Sequence, residues 1–148
     1  MFLISHRGNI NGSNLKIENS TEYIDVALYS GYDVEIDIRS IRGVLLLGHQ
    51  NPQYVIAYEW LKKRSDRLWI HCKNIEVLEW FNSLDIMFNY FWHESDKVTL
   101  TSKNYIWTYP TKEIIKNSIV VMPEISKNDL GSCSGICSDY IERFKTNE

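Results

Sequence analysis

The sequence predicts an α/β fold built on parallel strands, and three observations carry that reading. Short apolar or β-branched runs, such as Val34-Glu35-Ile36-Asp37-Ile38, recur and alternate with helical patterns. Strands that alternate with helices imply parallel pairing through right-handed crossovers. The chain has 148 residues, whereas a closed barrel of eight strand–helix units takes about 250. The architecture is therefore a barrel with several helices trimmed away, or an open sheet, in one domain spanning 1–148.

Residues 3–6 read as a strand that runs into a polar loop, Asn9-Ile10-Asn11-Gly12-Ser13-Asn14. Ser20 is an N-cap for a helix over 21–30, whose apolar positions are Ile24, Ala27 and Leu28, and Gly31 ends it. The second strand covers 32–39. Arg42-Gly43 is a turn signal, and 44–47 returns as a short extended segment towards Gly48-His49. Pro52 opens a helix to about Arg64, because proline suits a first helical turn. Residues 68–73 are the third strand, 75–84 a helix and 86–93 the fourth strand. Residues 98–102 and 105–109 form a strand–turn–strand about Lys103-Asn104, with no room for a helix between them. A short helix is expected over 111–117. A strand over 118–122 is stopped by Pro123 and followed by a brief helical turn at 125–130. The last strand is 135–138, with a final helical turn at 139–144 for which Asp139 reads as the N-cap.

Composition narrows the function classes. A hydrophobic content of 44% supports a real core. The net charge of -3, without a block of like charges, argues against a nucleic-acid binder, whose footprint is a basic face. No apolar run is long enough to span a bilayer. The N-terminus enters a strand directly, without the basic and apolar regions of a signal peptide, so a cytoplasmic location is expected. Three cysteines fit reduced thiols; a zinc site from Cys72, Cys133 and Cys137 is weighed below ordinary core packing.

Glu35 and Asp37 sit two apart in a β pattern, so their carboxylates project from one face, which Asp33 and Arg39 share. Val34, Ile36 and Ile38 form the other face. Carboxylates turned into a core or cleft are costly to desolvate, and a divalent metal is one cation that meets them. In parallel sheets chemistry gathers at the C-terminal strand ends. His6, Asp37, Lys73, His93, Tyr109 and Glu124 all fall at or just after such ends.

The ordered motifs are His6-Arg7-Gly8, Glu18-Asn19-Ser20, Glu35-Ile36-Asp37, Gly48-His49, Ile70-His71-Cys72-Lys73, Trp107-Thr108 and Gly135-Ile136-Cys137-Ser138-Asp139-Tyr140. Their order resembles the glycerophosphodiester phosphodiesterase family, within the phospholipase-C-like phosphodiesterases. The resemblance implies a reduced TIM-type (β/α) barrel of phosphodiesterase type with several helices shortened or missing. His71 stands where that family has a metal-binding glutamate, and Gln50 where it has an aspartate.

The resemblance implies roles residue by residue. His6 and His49 would be the acid–base pair, with Arg7 beside them in catalysis. Arg7 and Lys73 would contact phosphate, and Trp107 would line the substrate pocket. Glu35 and Asp37 would hold the metal, joined by His71, with Glu124 a further candidate ligand. The cofactor is then magnesium, manganese or calcium, or zinc or iron if His71 ligates. The expected activity is metal-dependent hydrolysis of a small glycerophosphodiester-like or polyol-phosphate diester. The alternative is a catalytically inactive relative that binds a phosphorylated ligand or a protein partner. A second copy would cover edges left by the trimmed helices, so a homodimer is anticipated.

Overall fold

Alternation of apolar and polar residues dominates the architecture. The structure, a computed structural model, describes residues 1–84, 88–126 and 130–145. Its strands are β1 (Phe2–His6), β2 (Asp33–Ile41), β3 (Val44–Leu47), β4 (Tyr54–Ile56), β5 (Leu68–Cys72), β6 (Asn89–Phe91), β7 (Val98–Leu100), β8 (Ile106–Thr108), β9 (Ser118–Val121) and β10 (Gly135–Ser138). The α-helices are α1 (Thr21–Tyr29), α2 (Tyr58–Lys62) and α3 (Ile75–Ser83).

All the strands join one sheet. In the order β6, β5, β2, β1, β10, β9, β8 the neighbours are parallel. Two antiparallel additions make the sheet mixed: β3 and β4 extend β2, and β7 returns on β8. The Arg42-Gly43 turn has positive φ at both residues, 51° and 79°. Such a turn matches the strand twist and sends β3 back along β2.

The reduced TIM-type (β/α) barrel expected from the sequence is not what forms. The sheet is a curled, mixed half-barrel with three short α-helices among the described residues. Two segments that depart from the expected pattern explain part of the difference. The segment after Pro52 does not open a helix; Leu47 pairs with Tyr54 and Leu45 with Ile56, and the helix starts only at Tyr58. Pro52 lies in the turn before β4, and the chain folds back so tightly there that a Cβ on Gly48 would collide with the Asn51 carbonyl. The helix expected over 111–117 is absent. Thr111 and Asn117 take positive φ (68° and 62°), and Ile114-Ile115 supplies no periodic apolar face to bury. The expected strand over 86–93 begins on residues outside the described ones and is seen as β6. The expected turn over 125–130 likewise runs outside them, and a 3₁₀ turn is seen at Pro123–Ile125.

The other elements follow their sequence signals. Ser20 Oγ accepts from the Tyr23 N–H at 3.3 Å and starts α1, and Asn74 Oδ1 accepts from Val77 N–H to start α3. These helices cover the outer face of the sheet. Ile24, Ala27, Val77 and Phe81 pack there on Val34, Ile36, Ile38, Leu68 and Ile70. The concave face holds a second apolar layer of Ile4, Trp69, Phe91, Trp107, Ile119, Val121 and Cys137. Cys72 and Cys137 are thus ordinary core residues. Among the described residues no helix is long and apolar enough to cross a membrane.

Candidate metal and acid–base site

Above the inner apolar layer, the C-terminal ends of the parallel strands carry polar side chains into one cavity of about 430 Å³. His6, Arg7, Glu35, His49, His71, Lys73 and Trp107 all line it. Strand pairing sets this convergence: His6 lies beside Glu35 across β1–β2, and Asp37 beside His71 across β2–β5. The period-two pleat then turns Glu35, Asp37 and His71 to the concave side.

One ligand atom from each of Glu35, Asp37 and His71 lies within 4.8 Å of the other two. His71 Nδ1 is 3.3 Å from Asp37 Oδ1 and 3.7 Å from Glu35 Oε1. Its other nitrogen, Nε2, donates to the His93 carbonyl at 2.8 Å. Burial alone would lower the His71 pKa, but the hydrogen bonds and charges of Asp37 and Glu35 outweigh it and hold the ring at about 9. An imidazolium therefore stands between the acids when no other cation does.

Asp37 is fully buried and held on several sides. Asn19, in the left-handed region at φ 64°, donates from Nδ2 to Asp37 Oδ2 at 3.0 Å and accepts the Asp37 backbone N–H. Arg7 Nε lies 2.8 Å from the same oxygen; the pair is close but poorly aligned, so it is an ion pair without a hydrogen bond. Burial alone would raise the Asp37 pKa, but hydrogen bonds to His49 and His71 and the charge of Arg7 hold it well below the ordinary value. Glu35 differs. It is buried, and its Oε2 has no hydrogen-bond partner, with His6 Nε2 nearest among its ion-pair contacts at 3.8 Å.

His6 is tied at Nδ1 to Asp139 Oδ1 at 2.7 Å. Burial opposes its charged form, but the Asp139 hydrogen bond and the Glu35 charge prevail and raise its pKa. Asn9 Nδ2 donates to the same Asp139 oxygen. Asp139 is thus the carboxylate that orients His6 and not the N-cap expected from the sequence, because the final 3₁₀ turn (Ile141–Phe144) has Tyr140 at its cap position and no side-chain cap bond. The sequence placed it in the last motif, yet the partnership spans 133 positions and is visible only once β10 pairs with β1.

The remaining candidates separate by their partners. Arg7, at φ 57°, donates from Nη1 to Glu18 at 3.0 Å and from Nη2 to His49 Nδ1 at 2.8 Å. His49 Nδ1 also lies 3.5 Å from Asp37 Oδ1, and its side chain is 37% exposed. Arg39, which shares the face of the acids in the strand pattern, holds the His49 loop: it donates to the carbonyls of Gly48, His49 and Gln50. Among the described residues Lys73 Nζ has no ion-pair partner. Trp107 is buried against Trp69 and Phe91 at the cavity floor. Glu124 is brought elsewhere: its oxygens accept from the Ser138 hydroxyl and the Asp139 N–H. The chain matches no protein-family model, no curated protein and no solved structure.

Proposed function

We propose that the protein is a metal-dependent phosphodiester hydrolase acting on a small glycerophosphodiester-like or polyol-phosphate diester. The observation that carries this reading is the adjacency of His6 Nε2 to the buried Glu35 Oε2, at 3.8 Å, with no hydrogen bond to that oxygen. A proton-transfer group thus stands beside a carboxylate that lacks a partner, in a cluster with Asp37 and His71. The donor set, two carboxylate oxygens and an imidazole nitrogen, fits a divalent cation held by Glu35, Asp37 and His71. Such an ion supplies neutralisation of the charge that grows on the non-bridging phosphate oxygens.

The chain's own residues support the proton transfers. His6, its Nδ1–H held by Asp139, is favoured in the protonated form and presents Nε2–H to the cavity, as suits a general acid. His49 is the more exposed imidazole. To act as general base at Nε2 it must carry its ring proton on Nδ1, turned to Asp37 Oδ1 at 3.5 Å, so Nδ1 gives up the contact in which it accepts from Arg7 Nη2. The attacking oxygen, from water or a neighbouring hydroxyl of the substrate, loses its proton to His49 and bonds to phosphorus. The bond from phosphorus to the leaving oxygen breaks, and that oxygen takes the proton from His6. Lys73 adds positive charge for the phosphate, and Arg7 holds Asp37 in place.

The test is turnover of bis(p-nitrophenyl) phosphate by the full chain with manganese or magnesium, in wild type and His6→Ala. The reading expects metal-dependent release of p-nitrophenol and a loss of about 10²–10⁴-fold in kcat without His6. The engagement of Arg7 by three partners favours a second reading, an inactive domain that binds a phosphorylated ligand. Metal and phosphate binding with no turnover on a broad diester panel would replace the first reading by the second.

A further inference from the structure

We propose that His71 makes this cation centre selective for a transition-row divalent ion (manganese, iron, cobalt or zinc) over magnesium and calcium. The inference rests on the metal-dependent reading above and concerns which ion the site takes. Magnesium and calcium are hard ions that favour all-oxygen coordination, and magnesium sheds water reluctantly. Imidazole nitrogen suits iron and zinc, and affinity at mixed nitrogen and oxygen sites rises along the first transition row.

The His71 ring is held in the orientation of a ligand. Nε2 donates to the His93 carbonyl, and the ring stacks on Phe91 with centroids 5.1 Å apart and planes at 16°. These two contacts leave Nδ1 facing Glu35 Oε1 and Asp37 Oδ1. A backbone carbonyl on the distal nitrogen fixes the tautomer and raises the basicity of a ligating imidazole. With Nε2 committed to a backbone carbonyl, Nδ1 is the nitrogen left to face a cation beside the two acids.

The acids are asymmetric in a way that fits the same assignment. Asp37 Oδ2 is engaged by Asn19 and Arg7, so Asp37 has only Oδ1 to offer. Glu35 Oε2 is buried and lacks a hydrogen bond, an arrangement costly to keep without a cation. The protein thus offers few ligands and leaves positions for water and substrate, as in open catalytic sites. Calcium favours six to eight oxygens, whereas one of the three protein ligands here is the His71 nitrogen.

The test uses the full chain, stripped by chelator, and reads binding by calorimetry. Manganese, cobalt, zinc, magnesium and calcium are titrated separately into wild type and His71→Asp. The transition ions are expected to bind wild type tighter than magnesium or calcium, and His71→Asp is expected to narrow that gap by at least about tenfold. Manganese-loaded wild type should show ¹⁴N hyperfine coupling in pulsed EPR, which is lost in His71→Asp. The EPR measurement on wild type stands even if the variant fails to fold. Magnesium or calcium binding wild type as tightly as manganese, or bound manganese without ¹⁴N coupling, would overturn the selectivity while leaving a metal-dependent hydrolase in place. Failure of every ion to bind would remove both.

Discussion

Replacing Asp37 by asparagine probes the electrostatic centre of the site before any catalysis is measured. Asp37 is fully buried, with Arg7 Nε at 2.8 Å, His71 Nδ1 at 3.3 Å and His49 Nδ1 at 3.5 Å. Removing one partner of a buried ion pair costs about 3–5 kcal/mol, since the others keep charges they cannot hydrate. Asparagine keeps an acceptor for Asn19, so the lower end, about 3 kcal/mol, is expected. For a chain of this size that lowers Tm by about 6–12 °C. The pH dependence follows from the depressed carboxyl. Burial opposes the carboxylate, but His49, His71 and Arg7 hold the folded-state pKa well below the ordinary value. The stabilisation is therefore present above the unfolded pKa of about 3.9 and is lost as pH falls towards the folded value. Urea midpoints of wild type and variant, measured from pH 7 to pH 3, should differ most at pH 7 and converge in acid. A difference below about 1 kcal/mol at pH 7, the level of an exposed ion pair, would refute the assignment. A difference that does not change across the series would refute it as well.

Asp139→Asn should lower kcat by about 10²–10⁴-fold with little change in KM, because the acid His6 loses its orienting carboxylate. The alkaline limb of the pH–rate profile, where His6 gives up its proton, should also move to lower pH; a limb that stays in place would remove His6 as the acid. Metal-free protein should lose stability as pH rises from about 6.5 to about 9, the window in which the His71 imidazolium deprotonates. Denaturation curves of His71→Gln should show a shallower slope there, the remainder coming from His6, whose pKa is also raised. Lys73→Ala should raise KM for a diester by about tenfold or more, the worth of a hydrogen bond to a charged group, and an unchanged KM would exclude the contact. Phe81→Ala should cost about 3–5 kcal/mol by calorimetry, because its ring is buried between helix α3 and the outer face of the sheet.

The strand 135–138 and the helix after Ser20 were legible because their signals are local: alternation in one case, a cap followed by a 3.6-residue period in the other. The carboxylate pair was legible for the same reason, since a strand places Glu35 and Asp37 on one face wherever it packs. The Pro52 segment misled because proline permits a first helical turn as readily as a bend before a strand, and cross-strand pairing of Leu47 with Tyr54 decided between them. The 111–117 segment misled because its composition allows a helix but gives it no face to bury.

Residue order alone determined which side chains share a face and which segments extend. It could not determine that the sheet would be mixed and curled, that His6 would find Asp139, or that His71 would turn Nδ1 to the acids and Nε2 to the His93 carbonyl. Those outcomes depend on pairings between distant segments, β1 with β10 and β2 with β5. Such pairings follow from the summed burial of two apolar layers and the closure of long loops, quantities that belong to the whole chain and to no window of it.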